Sequence, residues 1–179
     1  MIDYKDIAQK SNASQDWFEL WQLLELLATI RPEKILEVGV HRGGMLETLH
    51  QAFPDAALFG IESDPSFLQF KDFNLITADS HNPATRDLFS TVGQFDFIFI
   101  DGDHTYDGAM QDWELYGPLC RPGGLVGFHD IMRDPINVPH HAGVDCRRVF
   151  DELKLHRANI EIWNGAIGMD APGIGVLFV

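Results

Sequence analysis

The sequence predicts an α/β fold: a doubly wound, Rossmann-like, mostly parallel sheet of seven strands with an antiparallel C-terminal strand and helices on both faces. Three observations predict it. Short apolar runs alternate with amphipathic stretches nearly throughout. The runs are apolar at successive positions, as in strands buried on both sides, so the sheet is parallel and covered by helices. An acidic residue follows each of the first five runs, which puts polar chemistry at the carboxyl ends of the strands, where ligands bind in such sheets.

The elements follow in order. Residues 14–29 form an amphipathic helix that Ser14 could cap, with Trp17 and Trp21, or Leu20, Leu24 and Leu27, as its core stripe. Pro32 breaks it. Lys34 to Gly39 is a short apolar strand that runs into glycine, and His41 to Phe53 is a helix stopped by Pro54. Ala57 to Glu62 is a second strand, and Pro65 to Phe70 a short helix. Phe73 to Ala78 is a third strand, followed by a helix over 83–91 with Pro83 near its start. Phe95 to Ile100 is the most apolar strand. Thr105 to Cys120 is helical, Pro122-Gly123-Gly124 is a turn, and Leu125 to Phe128 is the fifth strand. Residues 132–142, with two prolines and His140-His141, read as a loop. Val144 to Leu155 is a helix. Residues 160–163 and 175–179 close the chain as an antiparallel hairpin on the sheet edge, around a glycine-rich turn.

The chain has 179 residues, within the ordinary size of one domain, so residues 1–179 are read as a single unit. That unit comprises an N-terminal helix over 14–29, a core over 33–131, and a C-terminal helix and hairpin over 143–179. A chain of this length buries roughly 70% of its unfolded surface and needs no disulfide or metal staple. Thirteen basic residues against 27 acidic ones give a net charge of −14. That balance argues against a nucleic-acid backbone or an anionic membrane as partner, since both are bound through Lys and Arg. No stretch approaches the ~20 apolar residues of a membrane span. The N-terminus has no basic stretch followed by an apolar run, so no signal peptide is read there. Cys120 and Cys146 are too few for a disulfide framework, and the expected location is a reducing cytoplasm.

The polar residues at the strand ends carry the functional signal. The first strand ends in Glu37-Val38-Gly39, the second in Glu62-Ser63-Asp64 and the third in Asp79-Ser80. The fourth ends in Asp101-Gly102-Asp103-His104 and the fifth in His129-Asp130. Single acids there could be helix caps, but five in a row imply cations, hydroxyl donors or raised pKa values. The turn Glu37 to Gly44 is not a G-x-G-x-x-G dinucleotide turn, because His41 holds the second glycine position. It also lacks the G-K-[ST] ending of a phosphate loop. A pyrophosphate would meet Glu37, whereas a positively charged ligand would be welcome. Gly39 would let such a ligand approach the backbone, and Gly43 or Gly44 would let the helix start tightly. Glu62 lies where an acid accepts from a ribose diol, with Asp64 the alternative by one step of register. Asp79 and Ser80 could reach an adenine edge.

These residues together resemble class I S-adenosylmethionine-dependent methyltransferases. The resemblance rests on the E-x-G-x-x-x-G turn (Glu37, Gly39, Gly43), on Glu62 and Asp79, and on the block from Phe97 through Asp101-Gly102-Asp103-His104-Thr105-Tyr106-Asp107. It continues through Pro118 to Gly124 and Phe128-His129-Asp130-Ile131, and covers about residues 33 to 131. The subgroup it is most similar to holds macrocin-type sugar O-methyltransferases and cephalosporin-hydroxylase-like proteins. The resemblance implies S-adenosyl-L-methionine as cofactor, held by Glu37, Gly39, His41, Gly43, Glu62, Ser63, Asp79, Ser80 and Asp101. It implies O-methylation of a small-molecule hydroxyl, with Asp103 as the favoured base and His104 second. It further suggests an optional divalent ion, Mg²⁺ or Mn²⁺, at Asp101, His129 and Asp130, although His129 stands where an acid is usual and imidazole is a poor ligand for Mg²⁺.

Rival expectations are a cofactor-binding protein without catalytic activity and a metal-dependent hydrolase built on the D-G-D-H and H-D pairs; a nicotinamide oxidoreductase is disfavoured by the first turn. Trp113 and Tyr116, read as exposed aromatics, would be the material for a homodimer. His140 and His141 would lie on a loop able to cover the acceptor.

Overall fold

In the computed structural model, residues 2–132, 143–165 and 172–179 are described. The elements are α1 (Tyr4–Lys10), α2 (Trp17–Ile30), β1 (Lys34–Val38), α3 (Gly44–Ala52), β2 (Ala57–Glu62), β3 (Asn74–Thr77), α4 (Pro83–Asp87), β4 (Phe95–Ile100), α5 (Tyr106–Tyr116), β5 (Cys120–His129), α6 (Cys146–Lys154), β6 (Asn159–Ile162) and β7 (Ile174–Phe178). The seven strands form one sheet in the order β3-β2-β1-β4-β5-β7-β6. The first five strands are mutually parallel, and β7 runs antiparallel to both β5 and β6. Strand order reverses between β1 and β4, which opens a crevice at the carboxyl ends of both.

Apolar residues on successive strand positions supply two cores, one per face. Ile35, Leu58, Phe97 and Phe99 pack beneath the face that α1, α2 and α3 cover, through Ala8, Leu20, Leu24, Leu27, Leu46 and Leu49. Leu36, Val38, Ile98 and Ile100 point the other way, toward Ala109, Tyr116, Val149 and Phe150. Burying both faces explains why these strands read as continuous apolar runs.

Several sequence expectations are corrected. The N-terminal helix is capped by Asp16, not Ser14: its carboxylate accepts from the Phe18 and Glu19 amides at 2.9 and 3.3 Å. The stripe it buries is Leu20, Leu23, Leu24 and Leu27, while Trp17 is 42% exposed. The indole of Trp21 lies under the Lys5 ammonium and donates to Glu25. A short polar helix, α1, precedes it and was not expected, because seven residues carry only one fully buried side chain. The third helix starts at Gly44 rather than His41, since His41 and Gly43 spend positive φ angles on the turn before it. The helices expected over 83–91 and 105–120 each tighten into a 3-10 turn, over Leu88–Thr91 and Gly117–Leu119. Pro122-Gly123-Gly124 does not precede the fifth strand but interrupts it as an irregularity, so β4 pairs Phe95 with Cys120 and then Phe97 with Leu125. Tyr116 is fully buried and its hydroxyl donates to the Ser80 carbonyl at 2.7 Å, so it offers nothing to a dimer. Trp113 packs on Phe128 and under the Arg157 guanidinium.

The C-terminal hairpin is present as β6 and β7, with β7 inserted against β5. Cys120 and Cys146 are buried free thiols, and burial pushes the Cys120 thiol up to about 12. No helix among the described residues is long and apolar enough to cross a membrane. His140, His141 and most of the glycine-rich turn lie outside the described residues.

Candidate functional site

The site begins where β1 ends. Glu37 is 2% exposed, inside the strand. Burial, with Asp101 and Glu62 nearby, raises its carboxyl well above the usual range. Gly39 follows at φ 88°. A Cβ there would lie 2.4 Å from the Asp101 carbonyl oxygen and 2.5 Å from the Gly102 Cα. The close approach that requires glycine is therefore made by the chain's own β4 turn. His41 is itself left-handed, at φ 51°, and that bend aims its amide at Glu62 Oε2, 2.6 Å away. The other oxygen of Glu62 accepts from the Asp64 amide at 2.9 Å. Asp64 turns its own carboxylate back onto Ser66, which holds its pKa below the usual carboxylate value. Of the two acids at this strand end, Glu62 faces the crevice.

Two cavities meet over the strand ends. The first, about 340 Å³, is lined by Glu62, Ser63, Asp79, Ser80, His81 and Asp103. The second, about 290 Å³, is lined by Gln15, Glu37, Arg42, His104, His129 and Asp130. Gly39, His41, Asp101 and Gly102 line both, so the cavities are contiguous. Gly43 lines neither; it shapes the turn at φ 85°. At the β3 end, Asp79 accepts from the His81 amide at 2.9 Å. Behind it lies Asp112 of α5, fully buried and 3.6 Å from the His81 ring. Burial raises its carboxyl to about 6, against the opposing effects of Ser80 and His81.

The ends of β4 and β5 supply four coupled side chains. Asp101 Oδ1 accepts from His129 Nδ1 at 2.9 Å and from His104 Nε2 at 3.2 Å. Its Oδ2 accepts from Gln15 Nε2 at 2.8 Å. His104 Nδ1 lies 2.8 Å from Asp130 Oδ2, and Asp130 is itself left-handed at φ 60°. Burial alone would raise Asp101, but the two imidazoles bring it down to about 2. Hydrogen bonds to Asp101 and Asp130 raise His104 to about 10, against the effect of burial. Burial works against the charged form of His129 too, and the same two carboxylates outweigh it and raise its pKa.

Asp103 is built differently. Its carboxylate accepts from the Thr105 amide at 2.8 Å and packs on Gly108, where a Cβ would lie 2.2 Å from its Cγ. Burial would raise its pKa, but the hydrogen bonds of Thr105 and two nearby histidines lower it. It faces the first cavity only, and His104 the second only.

Asp101, His129 and Asp130 do converge, as the sequence suggests. They converge as donor and acceptor pairs, with His129 Nδ1 at 2.9 Å from one carboxylate and 3.4 Å from the other. An imidazole nitrogen must be deprotonated to ligate a metal, whereas this one faces two carboxylates as a donor. Among the described residues no group of three or more His, Cys, Asp or Glu side chains is arranged to hold a metal ion. As arranged, these described residues do not fit a divalent ion.

Gln15, Glu19 and Asp112 reach this region from α1–α2 and α5, and the sequence reading missed them because nothing local marks them. Gln15 and Asp101 are 86 residues apart. Glu19 is fully buried, and its Oε2 accepts from the Gly173 amide at 3.1 Å. Burial, then Asp16, raises it to about 7. A carboxyl whose folded pKa is raised costs stability progressively as pH climbs from its unfolded value through its folded one. Glu19→Gln should therefore raise Tm by a few degrees at about pH 8 and leave it nearly unchanged at about pH 4. Scanning calorimetry at both pH values checks it, and an equal shift at both would show that the carboxyl's charge is not responsible.

Comparison with known proteins identifies the family and the fold. A family model described as a methyltransferase domain matches residues 36–131. An uncharacterized protein of Acanthamoeba polyphaga mimivirus is 28% identical over 114 residues, 54% of this chain and 51% of its own. The chain thus spans about half the length of the curated relative it matches. Among solved structures, the MycE methyltransferase of mycinamycin biosynthesis, in complex with Mg, SAH and mycinamycin VI, superposes with a TM-score of 0.69 at 18% identity. That match covers 98% of this chain and 54% of MycE. An O-methyltransferase from Bacillus cereus in complex with SAH gives 0.68 at 17% identity, covering 98% and 90%. The O-methyltransferase TomG from Streptomyces achromogenes, in complex with SAM, gives 0.63 at 22%, covering 98% and 88%. These likenesses are of fold.

Proposed function

Because the chain belongs to the methyltransferase-domain family, we propose that it transfers the methyl group of S-adenosylmethionine to the hydroxyl of a small molecule. The observation that carries this reading is the pair of contiguous cavities at the strand ends, walled by carboxylates and histidines, with Arg42 the only Lys or Arg among the described lining residues. Such walls suit a cationic ligand that carries a diol. The first cavity takes the adenosine half. Glu62 is held by two amides with its carboxylate toward the cavity, ready to accept from the ribose hydroxyls. Asp79, Ser80 and His81 stand at the adenine edge. Glu37 and Gly39 line the second cavity, which takes the methionine end and the acceptor.

S-adenosylmethionine supplies a methyl carbon already activated by a sulfonium. What this chain must add is position and a place for the acceptor's proton. In the transfer the acceptor oxygen forms a bond to the methyl carbon, the carbon–sulfur bond breaks, and the hydroxyl proton leaves to a base. We assign the base to His104 rather than Asp103. The Asp103 carboxylate is engaged by the Thr105 amide just before α5, on the side of the first cavity. His104 faces the second cavity, with Asp130 on Nδ1 at 2.8 Å and Asp101 on Nε2 at the longer 3.2 Å. Opening the longer contact frees Nε2 for the acceptor while Asp130 keeps the ring oriented, the same division of roles as in a carboxylate–histidine pair of a hydrolase triad.

Calorimetric titration with S-adenosylhomocysteine tests the cofactor half. Binding is expected, and Glu62→Ala should weaken it by at least tenfold, since a charge-assisted contact to the ribose hydroxyls is lost. Absence of binding by the unmodified chain would overturn the proposal.

A further inference from the structure

We propose that Gln15 is a ligand of the cofactor's amino-acid end, its Oε1 accepting a hydrogen bond from the methionine ammonium while its Nε2 donates to Asp101. This rests on the S-adenosylmethionine reading of the site and adds a residue to it from outside the strand ends. Gln15 lies on the segment that joins α1 to α2, and that segment is strapped to the start of α3. Ser11 and Thr48 share a hydroxyl hydrogen bond of 2.6 Å, and the Ser11 oxygen accepts from the Ala13 amide. The strap backbone passes so near Gly44 that a Cβ there would lie 2.6 Å from the Asn12 carbonyl oxygen. The side chain of Gln15 is therefore delivered by a fixed backbone, and it is 8% exposed.

Its amide has one orientation. Asp101 is an acceptor, so the group 2.8 Å from its Oδ2 is the amide nitrogen. Oε1 must then point elsewhere, and among the described residues it has no hydrogen-bond partner although it is buried. Glu37 Oε2, on the wall of the same cavity, is also buried and has no hydrogen-bond partner among the described residues. Buried acceptors are rarely left unpaired. Two of them on one cavity of about 290 Å³ call for a ligand with more than one N–H. A primary ammonium carries three donors and a positive charge, so one group can serve both oxygens.

Two probes isolate the contact. S-adenosylhomocysteine has the amino-acid end, and 5′-methylthioadenosine keeps the adenosine and thioether without it. Calorimetric titration of the full chain with each is the experiment. Gln15→Leu should weaken S-adenosylhomocysteine by about tenfold and leave methylthioadenosine within twofold, which also shows that the variant is folded. Glu62→Ala, a ribose contact, should weaken both. Equal weakening of both probes by Gln15→Leu, or of neither, would overturn the assignment. If the unmodified chain binds neither probe, the S-adenosylmethionine reading itself fails and this proposal with it. If it binds both and Gln15→Leu shows no selectivity, only the role of Gln15 fails.

Discussion

His104→Ala is expected to slow methyl transfer by about 10²–10⁴-fold while leaving the affinity for S-adenosylhomocysteine within a few-fold. The two effects separate because His104 lines only the second cavity, apart from Glu62, Asp79 and Ser80, which line the first and are assigned to the adenosine half. The pH dependence provides a second signature. Hydrogen bonds to Asp101 and Asp130 keep the imidazole protonated up to about 10, and only the neutral ring can take a proton. The rate of transfer should therefore climb from about pH 7 toward pH 10 instead of levelling near neutrality. Asp130→Asn removes one of the two carboxylates and should move that limb to lower pH, even as the loss of orientation lowers its plateau. Stability runs the other way. A histidine whose pKa rises from 6.5 to about 10 on folding contributes a stabilisation fully present below 6.5 and lost as pH climbs through 10. The Tm deficit of His104→Ala should accordingly shrink between about pH 7 and pH 10. A variant that keeps the full rate with an unshifted profile would place the base elsewhere.

What the sequence reveals of this site is set by where its residues sit. Glu37, Glu62, Asp79, Asp101 and Asp130 each follow or end an apolar run, so the strand pattern alone puts them on one rim, and the structure puts them there. β2 and β4 have the bounds that their runs predict, Ala57–Glu62 and Phe95–Ile100. Their apolar residues leave no alternative to burial on both faces. Proline and two glycines read as a turn ahead of the fifth strand, whereas Val179, the residue after β7, holds that stretch in the sheet: the Gly123 amide donates to its carbonyl at 2.7 Å and its own amide donates to the Gly124 carbonyl at 3.1 Å. Tertiary pairing overrode local turn chemistry. In α2 the large indoles of Trp17 and Trp21 competed with the leucines for the core stripe, and helix rotation, which the pattern leaves ambiguous by one position, favoured the leucines. Which cavity Asp103 and His104 each line is not legible in the sequence. The two are neighbours, and only their folded partners, the Thr105 amide for Asp103 and the Asp101 and Asp130 carboxylates for His104, separate them to one cavity each. Gln15, Glu19 and Asp112 stayed invisible for a related reason: their role depends on the chain crossing itself far from the strand ends. Glu37, Glu62, Asp79, Asp101, Asp103 and Asp130 are six of the 27 acids that give the chain its charge, and the structure adds Glu19 and Asp112, whose carboxyls burial raises, so that part of that charge is suppressed.

Gly39→Ala should be the most damaging of the small substitutions in the chain. Two costs coincide at this residue. Its φ of 88° is disfavoured for any residue with a Cβ. The new methyl would also sit 2.4 Å from the Asp101 carbonyl oxygen, 2.5 Å from the Gly102 Cα and 2.7 Å from the Asp101 carbonyl carbon. All three are backbone atoms of the β4 turn, which is tied to β1 by the Asp101 amide donating to the Val38 carbonyl at 2.9 Å. Neither side can yield as a flexible side chain would. Strain and overpacking together should cost about 3–5 kcal/mol, which for a chain of this size lowers Tm by about 10 °C. Because Asp101 moves with its backbone, its contacts to Gln15, His104 and His129 open together, and S-adenosylhomocysteine binding should fall below detection. Gly123→Ala is the matched control. Its φ is 78°, but the nearest atom to an added Cβ is the end of the Arg121 side chain at 3.4 Å, far from the cavities. It should lose about 1 kcal/mol from backbone strain alone and keep full affinity. Calorimetry and titration on both variants distinguish the two costs. If Gly39→Ala behaves like Gly123→Ala, the approach of the β4 turn is not what fixes the first turn, and the shared wall of the two cavities must be held by the Glu62 contact to the His41 amide instead.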